Sequence, residues 1–152
     1  MAGRCILREK TSGKTAAEMD GEGEVSTVLI IGASNNPGRY SNMAMGRLTD
    51  AGYRVIPVNP FSEIETEEPT VHSLSRVSEK IDTVAVYVRA ELLAQDIEHL
   101  VRIAPSQVIF NPGTESRELS HRLAEAGIIT RNACVLVLLS TGEFDLKGKT
   151  DE

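Results

Sequence analysis

Apolar residues along this chain fall into short runs closed by Gly, Pro or Asn, and the runs alternate with stripes of helical period. Val28 to Ile31 is the first run, four residues with three β-branched, and it predicts a strand buried on both faces. It stops at Gly32, after which Ser41 to Ala51 predicts a helix with Ala44, Leu48 and Ala51 on one face and Gly52 at the C′ position. Gly46 inside that helix costs about 1 kcal/mol relative to Ala. Its expected use is a close approach of helix to sheet. Tyr53 to Val58 predicts a second strand, closed by Asn59-Pro60 and made irregular by Pro57, which lacks a ladder donor.

The pattern continues in the same alternation. Phe61 to Val71 reads as an acidic loop, and Leu74, Val77 and Ile81 as a short helical stripe. Thr83 to Val88 predicts a third strand. Leu93, Ile97, Leu100, Val101 and Ala104 then mark one helix, stopped by Pro105. Gln107 to Phe110 predicts a fourth strand ending in Asn111-Pro112-Gly113-Thr114, and Leu119, Leu123 and Ala126 a helix with Gly127 at C′. Ile128 to Thr130 reads as a fifth strand. Val135 to Leu139 is strand or helix, which periodicity does not decide.

Strands alternating with helices of this length imply parallel βαβ units: an α/β fold, a Rossmann-like doubly wound parallel sheet in a single domain. Ligands of such sheets bind outside the carboxyl ends of the strands. The loops at those ends hold Gly32 to Arg39, Asn59-Pro60, Val88-Arg89 and Asn111 to Thr114, whereas those at the opposite end read as plain connectors. A glycine turn between strand and helix aims backbone N–H groups and a helix N-terminus at an anion. Ser34 adds a hydroxyl there and Arg39 a charged fork.

Composition narrows the classes. With 152 residues the chain is long enough for one domain with a core of its own, and no Trp with only three Phe makes that core aliphatic. A net charge of −6 argues against a nucleic-acid surface. No run reaches the roughly 18 apolar residues of a membrane span. Cys5 and Cys134 form neither metal spacing nor disulfide framework, which suits a reducing compartment and a cytoplasmic location. Residues 1–24 mix four basic with five acidic side chains and four Gly, and read as a flexible leader; 25–145 form the domain and 146–152 a flexible tail.

The first turn reads Gly-Ala-Ser-Asn-Asn-Pro-Gly, so the dinucleotide fingerprint G-x-G-x-x-G is absent. The second strand ends in Val58-Asn59-Pro60, without the acid that an NAD ribose requires. Together Gly32-Ala33-Ser34, Pro37, Arg39-Tyr40-Ser41, the run Gly52 to Pro60 and Asn111-Pro112-Gly113-Thr114-Glu115 resemble the small stand-alone coenzyme A-binding domain proteins. Those proteins are similar to the nucleotide-binding domain of the succinyl-coenzyme A synthetase α-subunit, and the resemblance runs from about Val28 to Phe144. It implies coenzyme A or an acyl-coenzyme A as ligand. Gly32, Ala33, Ser34 and Arg39 would hold its phosphates, Asn59 and Pro60 would line the adenosine side with Val88 and Arg89 beside them, and Asn111, Pro112 and Gly113 would face the pantetheine arm. The synthetase works through a phosphorylated histidine in a further domain, a counterpart of which is not read in these residues.

Candidate catalytic groups are sparse. His72 falls in a loop, while His99 and His121 sit off the apolar stripes and read as solvated. Cys134 precedes an apolar run and reads as a buried structural thiol. No metal spacing is evident. The expected function is a binding module without catalytic chemistry of its own, with an acyl-coenzyme A enzyme or a second copy as possible partner. The alternatives are a small NAD(P)- or nucleotide-dependent enzyme using the same glycine turn, or an interaction module that has lost its ligand. Deleting residues 1–24, which carry no apolar periodicity, is expected to leave the melting temperature and ligand affinity unchanged, as thermal denaturation and calorimetry on the truncated protein would show.

Overall fold

A computed structural model describes residues 25–146; the expected leader and all but the first residue of the expected tail lie outside that range. Five strands, β1 (Thr27–Ile31), β2 (Arg54–Val58), β3 (Thr83–Val86), β4 (Gln107–Phe110) and β5 (Ile129–Asn132), form one sheet in the order β2-β1-β3-β4-β5. Every pairing is parallel. The helices are α1 (Tyr40–Asp50), α2 (Ala90–Ala94), α3 (Ile97–Ile103), α4 (Arg117–Glu125) and α5 (Val135–Thr141), with one 3-10 turn at Leu74–Arg76. This is the doubly wound α/β arrangement that the alternation predicts, and its strand order reverses between β1 and β3.

The period of two along the strands separates two apolar layers. Leu29, Ile31, Ile56, Val58, Val84, Val86, Val108 and Phe110 point to one face, where Leu93, Leu100, Leu119 and Leu123 of α2, α3 and α4 cover them. Val28, Ile30, Val55, Ala85 and Ile109 point to the other, against Ala44, Met45 and Leu48 of α1 and Val135 and Leu138 of α5. Both faces are therefore dry, which is why the central strands read as continuous apolar runs. The undecided run Val135 to Leu139 is helix: its Val135 and Leu138 sit one turn apart on a covered face.

Pro57 does not disturb β2. It pairs in register with Ile30, and the strand is an edge. Amides of β2 alternate in direction: Val58 O accepts from β1's turn, while Pro57 O and the Asn59 N–H face outward to Val71. The proline nitrogen falls on that outward side, where its missing proton interrupts no bond to β1. The other expectations shift in detail. The helix from Leu93 to Ala104 is broken into α2 and α3, with Asp96 between them and Ala104 closing α3 at φ 53°. The stripe at Leu74, Val77 and Ile81 is buried, yet only three of its residues form a 3-10 turn, whose carbonyls at Leu74 and Val77 accept from Arg102. Ala51 is exposed, and Ser41 and Met45 take its place on the buried face of α1.

At the amino-terminal end of the sheet, a buried amide closes the chain on itself. Gln107 Nε2 donates to Thr83 Oγ1 (3.0 Å) and to the Phe144 carbonyl (2.9 Å). Arg131 of β5 donates to Gln107 Oε1 and to the carbonyls of Phe144 and Glu143. The Phe144 ring is buried and meets Tyr53 edge-on at 5.1 Å. Nearby, Arg54 spans two carboxylates, Glu68 and Glu79, and both hold its guanidinium firmly protonated.

The expected close approach at Gly46 is not found. The residue faces solvent in the middle of α1, and a Cβ built on it would touch nothing within 4 Å. Gly46→Ala is therefore expected to stabilise the fold by up to about 1 kcal/mol through helix propensity, which a denaturant titration resolves as a higher midpoint at unchanged slope.

Candidate functional site

The carboxyl ends of β1 and β3 meet at Gly32. Its φ is +95°, and a Cβ there would lie 2.9 Å from Val88 Cγ1 and 3.1 Å from the Tyr87 carbonyl carbon. Glycine is thus required twice, for backbone angle and for space. The Tyr87 amide donates to the Ile31 carbonyl at 2.8 Å, so the two strand ends leave the sheet in contact and then diverge, β1 into α1 on one face and β3 into α2 on the other. That divergence is the crevice at which ligands of such sheets bind.

Within the turn, many donors are already used. Both Gly32 and Ala33 amides donate to the Val58 carbonyl at 3.2 Å, and Ala33 is buried. Asn36 N donates to Ser34 Oγ, Gly38 N to Asn36 Oδ1 and Arg39 N to the Asn36 carbonyl. Ser34 Oγ, an acceptor in that bond, keeps its own proton to donate outward. Arg39 is the N-cap of α1 and provides no side-chain cap, and no acidic residue stands in the first turn. Since the Arg39 carbonyl takes the amides of Asn42 and Met43, the amides of Tyr40 and Ser41 are the helix donors left to a ligand. Arg89 stands in the same way at the N-cap of α2, again without a side-chain cap. Neither arginine has an ionic partner among the described residues. By contrast, α4 is capped by Ser116 Oγ.

Two asparagines that sequence reasoning assigns to ligand contact are tied into the scaffold. Asn59 Nδ2 donates to the Ala33 carbonyl (2.9 Å), and its Oδ1 accepts from the amides of Phe61 and Ser62. Asn111 is 3 % exposed; its Nδ2 donates to the Val86 carbonyl and its Oδ1 accepts from the Val135 amide that opens α5. Pro60, Pro112, Gly113 and Arg89 are exposed at the same end, and Val88 is half-buried against Gly32. The Gly113 amide donates to Glu115 Oε1. The candidates thus converge on one end of the sheet, with some forming its framework and others its open surface.

Two groups were not legible from spacing alone. His72, distant in sequence, has Nδ1 2.7 Å from the Asn59 carbonyl and Nε2 3.3 Å from Glu63 Oε1, which joins the acidic loop to the end of β2. Tyr87, read as part of a strand, lies just past β3, where burial first and the nearby Cys134 second push its phenol well above the ordinary range. Cys134 itself is half-buried rather than buried, because it precedes α5 instead of lying inside it. Among the described residues there is no cluster of three His, Cys, Asp or Glu that could hold a metal ion, and no helix is long and apolar enough to cross a membrane. A groove of about 330 Å³ runs beside α1, lined by Asn42, Met45, Gly46, Thr49 and Glu65 among others, on the flank of the helix rather than over the strand ends.

Gly32→Ala is expected to destabilise the protein by about 2 kcal/mol or more, through left-handed strain and collision with backbone, with a matching loss of denaturation midpoint. A wild-type midpoint in that variant would mean that the β1 and β3 ends do not approach as described.

Known proteins share this arrangement. An uncharacterised protein of Bacillus subtilis (strain 168), YneT, is 30% identical over 111 residues, 72% of this chain and 82% of its own. A crystal structure of an uncharacterised protein superposes with a TM-score of 0.74 at 34% identity, covering 80% of this chain and 99% of that one. A hypothetical protein from Pyrococcus horikoshii OT3 gives a TM-score of 0.68 at 32% identity over 72% of this chain and 78% of its own. A dinucleotide-forming acetyl-coenzyme A synthetase of Ca. Korarchaeum cryptofilum shares the fold, with a TM-score of 0.59 at 19% identity over 69% of this chain and 25% of that enzyme. The model of the CoA binding domain matches residues 26–140, from the start of β1 to the last turn of α5, and the chain belongs to that family.

Proposed function

We propose that this protein binds coenzyme A or an acyl-coenzyme A in the crevice between the ends of β1 and β3, and that it has no catalytic chemistry of its own. The observation that carries the reading is the open amino-terminus of α1: an eleven-residue helix set behind the Gly32 turn, without a side-chain cap, with no acid in its first turn, and with an N-cap arginine that has no ionic partner among the described residues. Such an end favours an anion through its unsatisfied amides and its dipole. The ligand's diphosphate would meet the Ser34 hydroxyl, the amides of Tyr40 and Ser41, and the Arg39 guanidinium, with Arg89 facing it from α2. Gly32 and Ala33 act by shape, since their amides serve Val58. Asn59 and Asn111 likewise act as framework, holding the loops that bear Pro60, Pro112 and Gly113.

Family membership supports coenzyme A over a nicotinamide cofactor, as does the end of β2. Asn59 stands where an NAD ribose would need an acid, and both its Nδ2 and its Oδ1 are bonded to backbone. An acyl-coenzyme A enzyme as partner, or a second copy of this chain, and a cytoplasmic site of action complete the reading. Chemistry through a phosphorylated histidine, as in the succinyl-coenzyme A synthetase, is not part of this reading: His99 and His121 lie on α3 and α4, and His121 is exposed beside Glu125.

Titration calorimetry is expected to show coenzyme A binding more tightly than NAD or NADP; equal or reversed affinities would overturn the reading. Arg39→Ala is expected to weaken coenzyme A binding about 10- to 150-fold, the value of one charge-assisted hydrogen bond of roughly 1.5–3 kcal/mol, with the melting temperature unchanged. Arg39→Lys should recover part of that loss, because a point charge does not reproduce the fork.

A further inference from the structure

Phe61 is the most exposed of the large apolar side chains described, at 91 %, and Tyr40 follows at 67 %. Both stand at the carboxyl end of the sheet, Tyr40 opening α1 and Phe61 two residues beyond the end of β2's closing Asn59. The other described aromatics, Tyr53, Tyr87, Phe110 and Phe144, are buried or half-buried. An aromatic ring left in water on a mobile loop would be unremarkable, but this loop is pinned. The Phe61 amide donates to Asn59 Oδ1 at 2.8 Å, and Asn59 Nδ2 donates in turn to the Ala33 carbonyl of the glycine turn. Asn35, from the same turn, donates to the Glu63 carbonyl and accepts from the Glu65 amide. His72 closes the loop from its other side, against the Asn59 carbonyl and Glu63. The backbone carrying Phe61 is therefore held on both flanks, with the glycine turn as its anchor.

Charge on this loop excludes the commonest way of holding the adenosine end. Residues 59–73 contain four Glu and neither Lys nor Arg. A phosphate on the ribose finds neither lysine nor arginine there, and the His72 ring is engaged by the Asn59 carbonyl and Glu63, so recognition at this end falls to the base. We propose that Phe61 is the stacking platform for the adenine of the coenzyme, the residue that holds the base at this site. The inference rests on the coenzyme A reading above and names the part of this chain that holds the base. A preset ring loses little conformational freedom on binding, and stacking is indifferent to the acidic surroundings that would repel a phosphate.

The chain contains no Trp, which makes a direct readout available. Phe61→Trp supplies a single indole, and coenzyme A, dephospho-coenzyme A and ADP are each expected to quench its fluorescence, whereas pantetheine is not. By calorimetry, Phe61→Ala should weaken coenzyme A and dephospho-coenzyme A alike, by about 5- to 100-fold, with melting temperature unchanged because the ring packs against nothing it would leave behind. Dephospho-coenzyme A should bind wild type within about threefold of coenzyme A. Wild-type affinity for coenzyme A retained in Phe61→Ala would overturn this inference and leave the coenzyme A reading standing. Failure of the wild-type protein to bind coenzyme A would overturn both.

Discussion

The contact of Gly32 with Tyr87 and Val88 is the constraint on which the site depends. A parallel sheet whose order reverses between β1 and β3 must send its chain to opposite faces from two adjacent strand ends. Those ends can stay paired up to the point of divergence only if one of them has no side chain there. The glycine is therefore not a flexible hinge but a tight fit, with the crevice opening immediately beyond it. Everything with chemical potential at this end is measured from that point: Ser34 two residues on, the amino-terminus of α1 after one further loop, and Arg89 directly after Val88.

Rigidity of the surrounding loops comes from side-chain amides rather than from apolar packing. Loops at strand ends cannot be buried without stranding their backbone groups. Asn59, Asn35 and Asn111 solve this by reaching across to neighbouring loops, each donating to a carbonyl and accepting from an amide. An asparagine matches a peptide group in both roles, so three of them lash four loops together without adding charge. The result leaves the arginines at the helix ends as the cationic groups of this rim.

Much of this was legible in residue order. The two apolar periods place the strands and most of the helices, and the glycines after Asp50 and Ala126 mark helix ends, because local backbone chemistry decides those features. Pro57 misleads because a strand's edge position is a tertiary fact: the ring's missing donor matters only if a neighbour lies on that side. Gly46 misleads in the opposite direction, since a small residue in a helix is read as packing when this one meets solvent. The break between α2 and α3 escapes a stripe whose Leu93, Ile97 and Leu100 spacing suits one continuous helix. At the candidate site, residue type points to the strand-end loops. It does not say that Asn59 and Asn111 look inward, nor that His72 returns to β2, because those depend on distances across the sheet.

The amide and guanidinium at the opposite end of the molecule carry a consequence for motion. Gln107 joins β4 to β3 and to the Phe144 carbonyl, while Arg131 of the edge strand β5 holds the same carbonyl and that of Glu143. The last described turn of the chain is thereby bonded to both an interior strand and the margin of the sheet. Release of that turn strands a buried amide on β4 and a guanidinium on β5 together, so the sheet margin and the Glu143-Phe144 turn open as one cooperative unit rather than fraying residue by residue. Slow amide exchange at the Glu143-Phe144 turn and at the sheet's outer strand would share a single opening free energy. The two edges of the sheet then differ in kind: β2 is closed by a passing loop at Val71, and β5 is tied through Arg131 to the Glu143-Phe144 turn.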